Sequence, residues 1–261
     1  MRKLSSVLIL GLIFAVFSLF RQWPDVAQVK TKFPIILYEG PQTPPKVHLQ
    51  SKPPSGWVKL DEISQPARGA VLVSEDWAFY QHSGIDTQQI QEAIKESWES
   101  GRLSRGASTI TQQVVRNVFL NKEKTLTRKL KEIFLSLYLE REVSKGKILE
   151  TYFNIAEWGE GLFGIGAASQ YYFQKKPSEL TAKEGAFLAM LLPSPKRYSQ
   201  SFRLRRLSEY ARNTILSILE KMVKAHYLTE QELMNARTTA LSFENLEPIQ
   251  KFDIAPLPET E

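Results

Sequence analysis

The sequence predicts a mainly α-helical body carried on an N-terminal membrane helix, and three observations support this. An uncharged apolar stretch runs from Leu4 to Phe20. Beyond Ile63, apolar residues recur at helical spacing and capping boxes mark helix starts. No internal repeat and no run of alternating strands interrupts that pattern. The 261 residues, 43% of them hydrophobic and 24% charged, suffice for one large domain, or one domain with a small appendage.

Residues 1–23 read as a short cytoplasmic start and a transmembrane anchor. Leu4 to Phe20 lies near the lower limit for a spanning helix, about 17–25 residues. No small-x-small cleavage site precedes Phe20, so an uncleaved anchor is favoured over a signal peptide. Arg2 and Lys3 put the N-terminus inside and the body outside the cytoplasm. Residues 24–60 read as a proline-rich stalk with one short strand at Pro34 to Tyr38. Half of the chain's 14 prolines fall here: Pro24, Pro34, Pro41, Pro44, Pro45, Pro53 and Pro54.

Residues 61–240 read as the main helical domain. Leu130, Ile133, Phe134, Leu137 and Tyr138 form one apolar stripe at helical spacing. Thr181 and Glu184 form a capping box before an apolar run from Ala186 to Leu192, which Pro193 ends. A longer helix is expected around Leu204 to His226. A short one follows, opened by Thr229 and Glu232. Residues 241–261 read as a loose tail, proline-bearing and acidic from Glu247 onward.

The absence of cysteine excludes disulfides, thiolate metal sites and a cysteine nucleophile. Three scattered histidines, His48, His82 and His226, argue against a histidine-built metal site. A formal net charge of +6 favours anionic partners, whether phosphates, acidic lipid or nucleic acid.

Three clusters carry candidate chemistry, and each also has a plain structural reading. Glu75 and Asp76 follow the apolar run Ala70 to Val73 and lead into a segment with Phe79, His82, Gly84 and Asp86. One of the two carboxylates, partly buried, would suit a general base. The alternative is an acidic helix N-terminus with His82 in an ordinary hydrogen bond. In Arg105 to Gln113, glycine and small hydroxyl residues let a backbone approach oxygen-rich ligands; equally, they form a helix start capped by Ser108 or Thr109. The band Arg116, Lys122, Lys124, Arg128, Lys129 and Lys131, with Glu132 inside it, suits a pyrophosphate, or a solvated face in which Arg128 and Glu132 make a surface ion pair. Together these clusters fit glycosyl transfer from a lipid-linked pyrophosphate. Such a reaction needs one base, and cations can replace the second, acidic carboxyl because the leaving group is already a stabilised anion.

The same residues resemble the peptidoglycan glycosyltransferases, the family 51 glycosyltransferases. Glu75-Asp76, Phe79, His82, Gly84 and Asp86 match the family's first signature, and Gly106 to Gln113 matches G-[GA]-S-T-[IL]-[TS]-Q-Q. Arg128-Lys129 with Glu132 matches R-K-x-x-E, Ile148 to Asn154 with Gly159 and Gly164 resembles the fourth motif, and Leu192 to Tyr198 resembles the last. The resemblance is to the monofunctional, membrane-anchored members, since the K-T-G motif of the bifunctional relatives is absent.

The resemblance implies a lysozyme-like helical domain with a small membrane-touching lobe around Val118-Phe119-Leu120. It implies polymerisation of lipid II onto the growing glycan chain at the outer face of the bacterial cytoplasmic membrane, with other cell-wall synthesis and division proteins as partners and no nucleic acid. Glu75 would be the general base and Glu132 the second essential carboxylate. Asp76 and His82 would support the loop, while Ser108, Gln113, Arg116, Lys124, Arg128 and Lys129 would line the phosphate region. Glu150 and Asn154 would be structural. Magnesium or manganese on the pyrophosphate is compatible with the carboxylates, and no organic cofactor is implied. At Arg116 the family usually has lysine, and at Lys124 often arginine, which predicts altered phosphate contacts with the charge kept. Two rival readings stand beside this one: a hydrolase acting on the same polymer, and a non-catalytic membrane-anchored scaffold.

Overall fold

The computed structural model describes residues 23–100, 108–121, 123 and 125–245. The expected anchor, Arg105 to Ala107, Lys122, Lys124 and the tail from residue 246 lie outside the described residues. Among the described residues no helix is long and apolar enough to cross a membrane.

The fold is mainly helical, built round a helix buried on nearly every side. Helix α1 (Gln65–Glu75) is capped by Ser64, whose Oγ accepts from the Ala67 amide at 3.2 Å and donates to the Leu180 carbonyl at 2.7 Å. Its small residues Ala67, Gly69 and Ala70 and its branched Val71, Leu72 and Val73 are all buried. They pack against α7 (Ala182–Leu191), in which every residue from Glu184 to Leu191 is buried, and α10 (Glu209–Lys224) covers both. An all-round apolar helix is the pattern a core helix requires.

Helices α2 (Thr87–Ser100), α3 (Ile110–Phe119), α4 (Leu126–Glu142) and α5 (Lys145–Ile155) follow, with α3 packed on both α4 and α5. After the two-stranded ribbon of β3 (Glu157–Gly159) and β4 (Leu162–Phe163) comes α6 (Ile165–Phe173), then short helices α8 (Pro195–Tyr198) and α9 (Gln200–Arg203). The last α-helix among the described residues, α11 (Glu230–Thr238), lies against α10.

The capping boxes expected at Thr181 with Glu184 and at Thr229 with Glu232 are both present. The helix expected around Leu204 to His226 begins only at Glu209. Arg205 takes a left-handed backbone, φ 51°, after α9, and Ser208 supplies the new cap.

Residues 24–60 do not form a stalk. Strands β1 (Phe33–Leu37) and β2 (Lys46–Gln50) pair antiparallel, with Phe33 opposite Gln50 and Leu37 opposite Lys46. Pro34 is tolerated because a two-stranded ribbon has free edges, and Pro41, Pro44 and Pro45 fall in the connection between the strands. Val26 and Val29, fully buried, fasten this segment to the body. Trp57 and Phe33 meet edge to face at 5.0 Å, with the Lys147 ammonium 4.1 Å from the Phe33 ring centroid. Residues 241–245, expected in a loose tail, are instead held to the body, since Leu241 and Phe243 are buried in the core.

Apart from the half-buried Ile133, the expected stripe of Leu130, Phe134, Leu137 and Tyr138 does not face the core either. These residues are 39–52% exposed, and Leu126, one turn earlier, is 77% exposed. The buried face of α4 is Glu132, Leu135, Ser136 and Leu139.

The α1–α7 contact is close because Gly185 has no side chain: a Cβ there would fall 2.7 Å from the Ala67 Cα. Gly185→Ala is therefore expected to cost about 1–3 kcal/mol in denaturant unfolding, despite the roughly 1 kcal/mol that alanine gains over glycine in a helix. Gly146→Ala serves as the contrast, since its nearest neighbour is the Leu60 Cδ2 at 3.8 Å. It is expected to be neutral or stabilising.

Candidate active site

Glu75 is the last residue of α1 and Asp76 is its C-cap. The acidic helix N-terminus considered from the sequence is thus replaced by a helix C-terminus, whose dipole disfavours negative charge. Asp76 is 1% exposed and fully engaged. Its Oδ1 meets the His82 Nε2 at 2.8 Å, and its Oδ2 accepts from the Ile110 amide at 2.9 Å at the start of α3. Between them the chain turns through Gly84, at φ 91°, where a Cβ would fall 2.7 Å from the Ser136 carbonyl oxygen on α4. Asp86 ends the loop by accepting from the Gln88 and Gln89 amides, both at 2.9 Å.

Thr109 begins α3 with a capping box: its Oγ1 accepts from the Gln112 amide at 3.2 Å, and its own amide donates to the Gln112 Oε1 at 3.0 Å. The same hydroxyl donates to the Gly84 carbonyl at 2.7 Å, joining the two motif segments. One turn into α3, the Gln113 Nε2 donates to the Glu75 Oε2 at 2.8 Å, and the Tyr152 hydroxyl donates to the Gln113 Oε1 at 3.3 Å. Tyr152 on α5 is buried, and burial raises its pKa well above the ordinary tyrosine value, so it stays neutral and able to donate.

Glu75 keeps a face on an open cleft of about 1320 Å³ while protein excludes most water from the rest of it. Burial, the largest cause, raises its carboxyl pKa above the ordinary value, and the Asp76 charge pushes the same way; the Gln113 hydrogen bond and the Arg116 charge oppose them. Ser108, Gln113 and Arg116 line the same cleft. His82 does not line it and lies behind Asp76, its side chain 9% exposed.

Glu132 projects from the buried face of α4, and its side chain is 0% exposed. The Arg128 Nη1 donates to one of its oxygens at 2.6 Å and the Lys129 ammonium to the other. The surface ion pair considered from the sequence is in fact a buried carboxylate held by two partly exposed cations, with 16% and 36% exposure of their side chains. Lys129 also donates to the Ser108 Oγ at 3.1 Å, which joins this cation pair to the edge of the cleft.

Glu150 and Asn154 serve the scaffold. Glu150 accepts from the Trp57 indole at 3.0 Å, and Asn154 pairs with both the amide and the carbonyl of Val58, at 2.9 and 2.7 Å. Two features went unassigned from the sequence: the Tyr152 to Gln113 relay, and the part of the cleft wall where α10 presents Asn213, Thr214, Ser217 and Lys221. Tyr152 lay inside a recognised motif and so was findable. The α10 residues are ordinary polar residues of an amphipathic helix and were not.

A transglycosylase family model matches residues 45–223. The chain is 42% identical to a biosynthetic peptidoglycan transglycosylase of Nitrosomonas eutropha over 60% of its own length and 64% of that protein's. It is 38% identical to another, from Alcanivorax borkumensis, over 72% of its length and 76% of that protein's. Against penicillin-binding protein 1A of Escherichia coli it is 36% identical over 87% of its length, which spans only 27% of that longer protein. With the carboxylate-bearing cleft assembled from these matched segments, the chain belongs to the transglycosylase family.

Proposed function

We infer that the chain polymerises peptidoglycan glycan strands, transferring the growing strand from undecaprenyl pyrophosphate to the 4-hydroxyl of lipid II N-acetylglucosamine. The observation that carries this reading is Glu75, a carboxylate of raised basicity facing a large cleft with Arg116 beside it. Glu75 takes the proton of the acceptor hydroxyl as its oxygen attacks the anomeric carbon of the donor. The bond from that carbon to the pyrophosphate oxygen breaks, its electron pair leaves on the pyrophosphate, and the α-linkage inverts to a β-1,4 bond. No acid is needed opposite, because cations stabilise the departing charge.

In this reading Ser108, Arg116, Arg128 and Lys129, with Lys124, grip the pyrophosphate. Gln113 orients Glu75, while Asp76 and His82 hold the loop that ends at the cleft. Glu132 is a positioning residue, setting Arg128 and Lys129 side by side. Magnesium or manganese on the pyrophosphate would find no ready-made protein cage. Both Glu132 oxygens are taken by cations, and among the described residues no three histidine or carboxylate side chains converge.

Residues 4–20 anchor the chain in the cytoplasmic membrane with the N-terminus inside, and the catalytic body stands on the outer face in a lysozyme-like arrangement. Val118, Phe119 and Leu120, expected in the membrane-touching lobe, are partly buried against the core, and the exposed stripe of Leu126, Leu130, Phe134 and Leu137 beyond them supports a smaller lobe that touches the membrane, where lipid-linked substrates arrive.

With labelled lipid II in detergent, the unmodified chain is expected to yield lysozyme-sensitive polymer. Glu75→Gln should lower the rate by about 10²–10⁴-fold. If the unmodified chain instead shortens preformed glycan, the polymerase reading fails.

The acid limb of kcat/KM should lie above the ordinary carboxylate range, because Glu75 must be ionised to act and its pKa is raised. Gln113→Leu removes a hydrogen bond that favours the ionised form and should move that limb to higher pH. The sign for stability is the reverse of that of a salt-bridged carboxylate. A raised folded pKa costs stability above that pKa, and the cost disappears as pH falls below the unfolded value. Glu75→Gln should therefore raise Tm most at neutral and alkaline pH, with the gain shrinking on acidification.

Glu132→Gln leaves Arg128 and Lys129 without their counter-charge. It should cost about 1–3 kcal/mol in denaturant unfolding and raise the KM for lipid II, with the acid limb in place because Glu75 is untouched.

A further inference from the structure

A second cavity, of about 290 Å³, opens beside the cleft, and Met190, Tyr198 and Tyr210 line both. The two tyrosine rings stack at 5.1 Å with their hydroxyls 3.2 Å apart, so this pair is a wall common to both spaces. Arg197 and Arg206 line the smaller cavity, and no Asp or Glu does. From Lys196 to Arg206 the chain carries five cations, Lys196, Arg197, Arg203, Arg205 and Arg206, and no acid.

Three of those cations are already committed. Lys196 pairs with Glu160, and Arg203 donates to the Ser199 Oγ at 2.8 Å and the Lys196 carbonyl at 3.3 Å. The Arg205 guanidinium lies 4.5 Å from the Phe202 ring centroid. Arg197 lies 5.8 Å from the Tyr198 ring centroid, and neither it nor Arg206 forms an ion pair with any described residue. Two arginines without carboxylate partners, in a cavity free of acids, are suited to a carboxylate, which the guanidinium fork binds with two parallel hydrogen bonds.

The cavity lies at the small end of ligand pockets, which run from roughly 300 to 1,000 Å³. It suits one or two peptide residues better than a disaccharide. The pyrophosphate, the other anion of the substrate, has its own candidate residues, Ser108, Arg116, Arg128 and Lys129, and none of them lines this cavity. We propose that the side cavity is a subsite for a carboxylate of the peptide borne by the substrate's N-acetylmuramyl sugar, bound by Arg197 and Arg206 while the reacting sugar occupies the cleft. This rests on the glycan-polymerase reading above.

The test measures polymerisation of lipid II bearing its peptide and of the same lipid bearing none. It compares the unmodified chain with Arg197→Gln, Arg206→Gln and Arg206→Lys. The unmodified chain should show the lower KM on the peptide-bearing lipid. Each glutamine variant should cut that preference about tenfold, the size of one charge-assisted contact. Arg206→Lys should retain part of the preference. The subsite is overturned if the unmodified chain treats both lipids alike, or if the glutamine variants weaken both equally, which would assign the arginines to the pyrophosphate or a lipid headgroup. If the unmodified chain polymerises neither lipid, the polymerase reading falls and the subsite with it. Polymer that depends on Glu75, with an unaltered preference in the arginine variants, overturns the subsite alone.

Discussion

The buried carboxylate of Asp76 ties together the three parts of the chain that make the site. Asp76 is the C-cap of α1, its own amide donating to the Leu72 carbonyl, while its carboxylate accepts from the first amide of α3 and pairs with His82 in the loop between them. A charge so enclosed is tolerable only when both oxygens are satisfied, and here the backbone of α3 and an imidazole satisfy them. Because α1 ends where α3 begins, Glu75 and Gln113 come within hydrogen-bond distance although they are 38 positions apart. The glycine at position 84 lets the loop approach α4 closely enough to complete this arrangement.

Two glutamates near the cleft have been given opposite surroundings. Glu75 receives one neutral hydrogen bond at a helix C-terminus, so its ionised form is held weakly and is ready to take a proton. Glu132 is enclosed and gripped on both oxygens by cations, and its charge is spent on fixing theirs. One fold thus gives two glutamates contrasting environments, one with its pKa raised beside an open cleft and one enclosed between two cations. The link between the two is short: Lys129 reaches from Glu132 to Ser108 at the edge of the cleft.

The helix starts were legible because capping is local. Thr181 with Glu184 and Thr229 with Glu232 each satisfy amides within their own first turn, and a hydroxyl three residues before a Glu announces this in sequence; between Ser108 and Thr109, the structure chose Thr109. The face on which a helix is buried was less legible. In α4 the apolar stripe from Leu130 to Tyr138 suggested a core face, yet the buried side holds Glu132 and Ser136, whose polar atoms are met by Arg128, Lys129 and the Glu132 carbonyl. Periodicity records where apolar residues recur and is blind to polar groups that find partners. The hairpin of β1 and β2 was hidden for a related reason, since its prolines signal an extended chain whether or not a second strand lies beside it.

Taken alone, the sequence determined the helical class, the capping boxes at Thr181 and Thr229, the family resemblance and which residues were candidates for chemistry. These follow from residue type and short spacing. Tertiary structure decided the rest: that Glu75 ends a helix rather than starting one, that Glu132 is buried while the stripe beside it is exposed, and that α10 forms part of the cleft wall. Each of these depends on contacts between segments far apart in the chain. Burial and electrostatic environment belong to the assembled neighbourhood of a residue, and short-range pattern carries almost no record of it.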